Sequence, residues 1–191
     1  FKRIFAQLSN FMNIELSSFY FDVRKDALYC DPPSSIRRKA SLFVVKQLFD
    51  HLVRWFAPML PFTMEECFQT ETGNDGQSVH MEQFMDVPES WKAPELADKW
   101  KKIRSVRRVV TGALEIERRE KRIGSSLEAA PVVHVTDPGL AAAISGQDMA
   151  EICITSDIVI EDKAASGQAF VLDDVKGVAV VPALAKGTKC A

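Results

Sequence analysis

Apolar side chains recur at three-to-four-residue spacing through the first third of the chain. The first stripe comprises Phe1, Ile4, Phe5, Leu8, Phe11, Met12 and Phe19, and the second comprises Leu42, Val45, Leu48, Phe49, Leu52, Trp55 and Phe56. This spacing is typical of helices that bury one face. The pattern therefore predicts two amphipathic helices, each of which needs a partner to cover its apolar side.

Turn and capping residues predict where these helices begin and end. The Asp31-Pro32-Pro33 segment ends the first unit, and Ser34 or Ser35 can cap the helix that follows. Pro58 and Pro61 end that helix, and Thr63 to Glu66 has the capping-box spacing of a third helix. Three helices with short connections predict a bundle.

The second half begins with a long helical stretch from about Pro94 to Arg122, followed by Gly124 as a stop. Beyond it the composition changes to short β-branched runs at 131–135, 152–154, 169–172 and 178–181, with a helix candidate at 139–144. We therefore expect a mainly α protein. A helical domain over residues 1–122 is followed by a small α+β domain over residues 123–191.

Composition excludes several classes of protein. The chain has 191 residues and is 47% hydrophobic, which is enough for a buried core, but its net charge of −2 carries no signature of nucleic-acid binding. No apolar run approaches the roughly 20 residues of a membrane span, and no signal peptide opens the chain. Four widely separated cysteines indicate reduced thiols, and hence a cytoplasmic protein. Phe1 already lies within a helical pattern, which predicts a longer parent.

The local charge distribution is more informative than the total. Ten basic residues lie between Lys99 and Arg122 against three acidic ones, and a second basic cluster, Arg37-Arg38-Lys39, lies in the predicted first turn of a helix. Cations there oppose the helix dipole, which suggests an anionic partner. The alternative is a solvated face with intrahelical pairs such as Glu115 with Arg118 or Arg119. The region after Ser125 is acidic, so any RNA contact is expected in the helical part.

Catalytic motifs are missing from the sequence. It contains no P-loop, no G-x-G-x-x-G after a strand, no H-E-x-x-H and no G-x-S-x-G. Cys153 with His134 is the one combination that could form a nucleophilic pair. Cys153 lies in an apolar run, where a buried thiol that acts as a small hydrophobe is the favoured interpretation.

Four blocks of sequence resemble the bacterial isoleucyl-tRNA synthetases, which are class I aminoacyl-tRNA synthetases. They read E-L-S-S-F-Y-F-D-V-R-K-D-A-L-Y-C-D from Glu15, S-I-R-R-K-A from Ser35, F-A-P-M-L-P-F-T-M-E-E from Phe56 and S-V-H-M-E-Q-F from Ser78. The stretch from Trp100 to Ala129 is similar to the helix that leads into the C-terminal region of that family. The resemblance covers nearly the whole chain and is weakest after Asp137.

The resemblance implies a module that binds the anticodon arm of isoleucine tRNA, and we expect a monomer without a membrane partner. Its parent would ligate isoleucine to tRNA with ATP and Mg²⁺ and edit mischarged products, at sites that this chain lacks, since neither H-I-G-H nor K-M-S-K-S occurs. The ending G-T-K-C-A is similar to the start of a C-x-x-C zinc knuckle. Cys190 would thus be a ligand of one structural Zn²⁺ only in the parent, and no cofactor is expected in the fragment.

An A-form stem hides its base edges, so phosphates and 2′-hydroxyls are the expected contacts. For these contacts we predict Arg24, Lys25, Arg37, Arg38, Lys101, Arg104 and Arg108. Arg24 and Lys25 have an alternative role, since they can pair with Asp22 or Asp26 to hold a turn. Two further functions remain open: the equivalent region of a valyl- or leucyl-tRNA synthetase, and a helical protein-interaction module without an RNA role.

Overall fold

A computed structural model describes residues 1–73 and 76–187 of the chain. Contacts divide the chain into two compact units, Phe1–Trp91 and Lys92–Ala191. This division precedes the long basic helix, whereas the sequence predicts a domain boundary after it, between residues 122 and 123. The helix joins the second unit because its buried side chains form part of that unit's core. The predicted boundary between functional domains stays a prediction.

The first unit is helical. It contains α1 (Lys2–Asn10), a π-helical segment (Phe11–Phe21), α2 (Lys25–Tyr29), α3 (Ile36–Phe56) and α4 (Pro61–Thr72), followed by short 3₁₀ turns at Val79–Met81 and Glu89–Trp91. Ser35 caps α3, as predicted, by accepting a hydrogen bond from the amide of Arg38. The capping box predicted at Thr63 is wrong, because α4 begins at Pro61, whose missing N–H suits the first helical turn.

Glu65, inside that expected capping box, has a different role. Its carboxylate accepts hydrogen bonds from Gln69, from the Ser78 hydroxyl at 2.9 Å and from the Val79 amide at 3.0 Å. These bonds, that of Gln69 foremost, lower the pKa of Glu65. Glu65 therefore attaches the connector after α4 to the helix itself.

The core of the first unit is small. Val53, Ala57, Phe68 and Val79 are buried together, with Phe49 and Met64 against them. No residue of α1 is buried, and Phe1, Ile4 and Phe5 are exposed, although Phe5 meets the Phe56 ring edge-on at 5.9 Å. The buried face predicted for the first helix is therefore wrong at the start of α1, whereas Leu8, Phe11 and Phe19 of the same stripe are half-buried. An apolar stripe indicates that a helix needs a partner, but not which segment supplies it.

The second unit packs helices against a sheet. It contains α5 (Pro94–Arg119), β1 (Val132–Val135), α6 (Pro138–Ile144), α7 (Met149–Cys153), β2 (Val159–Glu161), β3 (Phe170–Leu172) and β4 (Val175–Val181), with a 3₁₀ turn at Ser126–Glu128. The strand order is β2-β1-β4-β3, with β1 and β2 parallel and the other pairs antiparallel. The parallel pair needs a crossover, which α6 and α7 provide.

Valine side chains of the sheet and the buried face of α5 form the core of the second unit. Val133 and Val135 of β1 and Val178 and Val180 of β4 face α5, whose Ile103, Val106 and Val110 are fully buried. The predicted mainly α fold with a small α+β part is confirmed, and so are β1, β3, β4 and α6. The strand predicted at 152–154 is wrong, because those residues end helix α7 with Ile154 in the left-handed region.

Candidate nucleic-acid interface

A junction cluster joins α2 to α3 and contains Asp31, Ser35, Arg37 and Arg38. The Asp31 carboxylate accepts hydrogen bonds from Arg37 Nε at 2.9 Å, from Arg37 Nη2 at 2.6 Å and from the Ser35 hydroxyl at 2.8 Å. Arg38 Nη1 donates to the Asp31 carbonyl oxygen at 2.7 Å. The bonds from Arg37 and Ser35 lower the pKa of the Asp31 carboxyl to about 2.

Local sequence explains this geometry. Pro32 and Pro33 restrict the backbone to a tight connection, which is closed by the Ser35 amide donating to the Pro32 carbonyl oxygen at 2.9 Å. Arg37 and Arg38 then fall in the first turn of α3, where the helix dipole disfavours cations. The Asp31 carboxylate lies before that turn and offsets both the dipole and the cations. Hydrogen bonds within the chain therefore hold both arginines in place.

The neighbouring α2 carries the other predicted cations of this unit. Lys25 lies 2.6 Å from the Asp22 carboxylate and is exposed, so it forms the pair that the alternative interpretation expects. Arg24 is the residue that precedes α2, and it also takes part in intramolecular interactions. The Lys25 pair is exposed, so it contributes little and can exchange for an RNA phosphate.

In the second unit, the α5 cationic face consists of Lys101, Arg104 and Arg108. Their spacing of three and four residues places them on one side of α5, opposite the buried Ile103 and Val106. Lys101 is exposed, and Arg104 is half-buried with interactions of its own. Arg108 is exposed and pairs with Asp174, in the turn between β3 and β4. One of the acidic residues after Ser125 thus reaches this face directly.

Other cations of α5 have structural roles. Arg107 Nε donates to the Ile152 carbonyl oxygen at 2.8 Å and so ties α5 to α7. Lys102 pairs with Asp98, and Arg118 pairs with Glu115 at 2.8 Å. Further along, both Glu117 and Glu120 hold Arg122. Much of the positive charge on this segment is therefore balanced within the chain, as the alternative of intrahelical pairing expects.

Two exposed residues of the first unit were not among the predicted site residues. Lys39 follows Arg38 on α3 and makes no ion pair within the described part of the chain. Tyr29 is 82% exposed at the end of α2. The exposure of Lys39 without an ion pair to another described residue could have been inferred from the sequence, because Asp31 is the single acidic residue near the three consecutive cations Arg37, Arg38 and Lys39. The exposure of Tyr29 could not, because aromatic side chains are more often buried.

The first 134 residues match the family model described as the anticodon-binding domain of tRNA ligase. The chain belongs to this family. Membership agrees with the helical first unit and with the resemblance seen in the four sequence blocks. Among the described residues of this family member, no helix is both long and apolar enough to cross a membrane.

Curated relatives extend the match over the whole chain. It is 61% identical to an isoleucine–tRNA ligase of Brucella abortus biovar 1 (strain 9-941), 59% to one of Agrobacterium fabrum (strain C58) and 56% to one of Bartonella quintana (strain Toulouse). Each alignment includes all 191 residues of this chain and 20% of the relative. The chain therefore spans about one fifth of the length of these relatives. The resemblance to isoleucyl-tRNA synthetases is confirmed.

The structure does not support Cys153 and His134 as the nucleophilic pair considered from the sequence. Burial raises the pKa of the Cys153 thiol to about 12, so the thiol is protonated at neutral pH. His134 Nδ1 instead lies 3.2 Å from the Lys163 carbonyl oxygen and 3.3 Å from the Glu161 carboxylate. Cys153 is a core residue.

The metal ligand predicted for the parent, Cys190, lies outside the described residues. Within residues 1–73 and 76–187, no three His, Cys, Asp or Glu side chains are grouped as a metal site would require.

Proposed function

We propose that this chain is the tRNA anticodon-arm binding module of an isoleucine–tRNA ligase. The observation that carries the proposal is the identity of 56% to 61% with isoleucine–tRNA ligases over all 191 residues, together with the anticodon-binding family match. These sequence identities favour an isoleucine enzyme over the valine and leucine enzymes. The longer protein would attach isoleucine to its tRNA with ATP and Mg²⁺, act as a monomer in the cytoplasm and hold one structural Zn²⁺.

The contacts follow from the chemistry of an RNA stem. An A-form stem presents phosphates and 2′-hydroxyls, which suit cations held on rigid helices. The α5 cationic face and the cations of the first unit, namely Arg24, Lys25, Arg37 and Arg38, are the proposed backbone contacts. Arg37 and Arg38 are preorganised by Asp31, so they lose little side-chain freedom when they meet a phosphate.

Lys101 provides the cleanest test, because it is exposed and has no ion pair among the described residues. Lys101→Gln should weaken binding to the isoleucine tRNA transcript. It should also reduce the slope of log affinity against log salt concentration by about one, since one phosphate contact is lost. Binding is measured by fluorescence anisotropy over a salt series.

Lys176 on β4 is a matched control, since it is also an exposed lysine of the second unit. Lys176→Gln removes the same charge and should leave the salt slope unchanged. If the wild-type chain binds tRNA with no dependence on salt, or does not bind it, the RNA function is refuted and a protein-interaction module is favoured. Equal affinity for isoleucine and valine tRNA transcripts would refute isoleucine specificity at this module.

A further inference from the structure

Tyr29 is a large aromatic side chain that the first unit leaves in solvent. It lies at the last position of α2 and is 82% exposed, although Ala27, two residues earlier, is fully buried. A lone exposed aromatic residue is not evidence of a site by itself. Its surroundings are what distinguish it.

The backbone beside Tyr29 is firmly held. Asp31, two residues later, receives the hydrogen bonds of Ser35 and Arg37 through its carboxylate and of Arg38 through its carbonyl oxygen. The end of α2 is thereby joined to the first turn of α3. The backbone that carries the ring is preorganised, so little backbone entropy is lost when a flat partner packs on the ring.

Basic residues lie near Tyr29 along the chain. Lys25 lies four residues earlier on α2, and this spacing places two side chains on one side of a helix. Arg37 is held by Asp31 at the start of α3, and both of these cations remain exposed to solvent. Unpaired RNA bases stack on exposed aromatic rings while nearby Lys and Arg contact the backbone phosphates. An exposed aromatic ring next to a basic segment has the chemistry for one stacked nucleotide.

Phe62 provides the contrast within the same unit. It is 90% exposed in the first turn of α4, but its neighbours one turn later are Glu65 and Glu66. Carboxylates repel a phosphate backbone, so an exposed ring there does not suit RNA. The segment around Tyr29 also carries carboxylates, at Asp22, Asp26 and Asp31, but its five cations outnumber them, whereas Phe62 is followed by acids alone. Exposure within a segment of net positive charge is therefore what distinguishes Tyr29.

We propose that Tyr29 is the stacking platform for an unpaired base of the RNA loop that this module binds. This proposal rests on the proposed function and adds to it the side chain that contacts a base. Lys25 and Arg37, the nearby exposed cations, contact phosphates of the same loop. Tyr29 accordingly contributes affinity that does not depend on salt, in contrast to the cations.

The test uses the 191-residue chain and an RNA hairpin with the sequence of the isoleucine tRNA anticodon arm. Tyr29→Ala should weaken binding by about 5- to 100-fold, the range for loss of one stacked base. The factor should be the same at every salt concentration, because no phosphate contact is lost. Tyr29→Phe should bind like the wild type, and Tyr29→Leu should bind like Tyr29→Ala, because leucine keeps apolar bulk without an aromatic face.

A spectroscopic measurement separates stacking from a structural role. With 2-aminopurine placed in turn at each loop position, one position should show a fluorescence change on binding that Tyr29→Phe keeps and Tyr29→Ala loses. Phe62→Ala is the matched control and should change neither affinity nor fluorescence. Circular dichroism should show the same helical signal for all variants, since neither ring belongs to the core.

The outcomes distinguish the two proposals. If the wild type binds the hairpin and Tyr29→Ala binds equally well, or Tyr29→Leu restores binding, the stacking role is refuted while the RNA function stands. If Tyr29→Ala changes the salt slope or lowers the helical signal, the ring acts through charge placement or folding, and the stacking role is also refuted. If the wild type does not bind RNA, both proposals fail.

Discussion

Gly112 lies in the middle of α5, where a close approach between helix and sheet requires a residue without a side chain. A Cβ atom added there would lie 2.9 Å from Cε1 and 3.1 Å from Cζ of Phe170, on β3. Carbon atoms in ordinary contact are about 3.5–4.0 Å apart. The Phe170 ring would thus have to move by about half an ångström or more. It packs against the core of the second unit, so the movement disturbs neighbouring side chains.

Two effects oppose each other in Gly112→Ala. Alanine stabilises a helix interior by roughly 0.5–1 kcal/mol relative to glycine. Overpacking a well-filled core costs about 1–3 kcal/mol. The cost is larger, so we expect a net loss of about 1 kcal/mol in the free energy of unfolding. For a unit of the size of Lys92–Ala191, a loss of about 1 kcal/mol corresponds to a fall in Tm of about 4–8 °C.

A double-mutant cycle with Phe170→Leu isolates the contact. The smaller side chain relieves the clash, so Gly112→Ala in that background should stabilise the second unit by about 0.5–1 kcal/mol. Urea unfolding followed by circular dichroism measures the free energies. If Gly112→Ala stabilises the chain with Phe170 present, or destabilises it equally in the Phe170→Leu background, the close approach does not control this position.

Three further predictions concern a carboxylate, a thiol and a second glycine. The pKa of Asp31 is about 2 in the folded chain, which is lower than its ordinary value. The ionised carboxylate therefore stabilises the fold at neutral pH, and this stabilisation is lost as pH falls from about 4 toward 2. Asp31→Asn should lower the urea midpoint at pH 7, and the difference in midpoint from the wild type should shrink near pH 2. Cys153, buried with a pKa of about 12, should escape iodoacetamide while exposed Cys30 reacts, as peptide mass mapping would detect, and equal labelling would contradict the burial. Gly177→Ala should cost about 2 kcal/mol or more in urea unfolding, because φ is +76° and the new Cβ would lie 2.9 Å from Asp137 Cβ; an unchanged midpoint would contradict this.

Several elements could be predicted because their signals are local. Ser35 caps α3 through a hydrogen bond within four residues, and α5 follows from the spacing of Ile103, Val110 and Leu114. The pairing of Lys25 with Asp22 was also foreseeable, since the two residues lie three apart. The family resemblance is likewise a property of the linear sequence. None of these features depends on how distant segments meet.

Other features were decided by tertiary contacts. The run 152–154 is apolar and β-branched, which suits a strand, yet it ends a helix because α7 packs its Ile152 and Cys153 into the core beneath α5. A short apolar run fits a buried strand or a buried helix equally well, and only the packing chooses. The same limit applies to α1, whose apolar stripe finds few partners within this chain.

The sequence by itself determined the helical periodicity, the Ser35 cap and the family, because each is encoded within a few neighbouring residues or in the order of the four sequence blocks. Only the tertiary structure decided which cations remain available. Arg37, Arg38 and Arg108 are all basic in the sequence, but folding pairs Arg37 with the Asp31 carboxylate and Arg108 with the Asp174 carboxylate, whereas Arg38 donates only to the Asp31 carbonyl oxygen. Charge is a property of a residue, whereas its neutralisation depends on which distant carboxylate the fold places beside it.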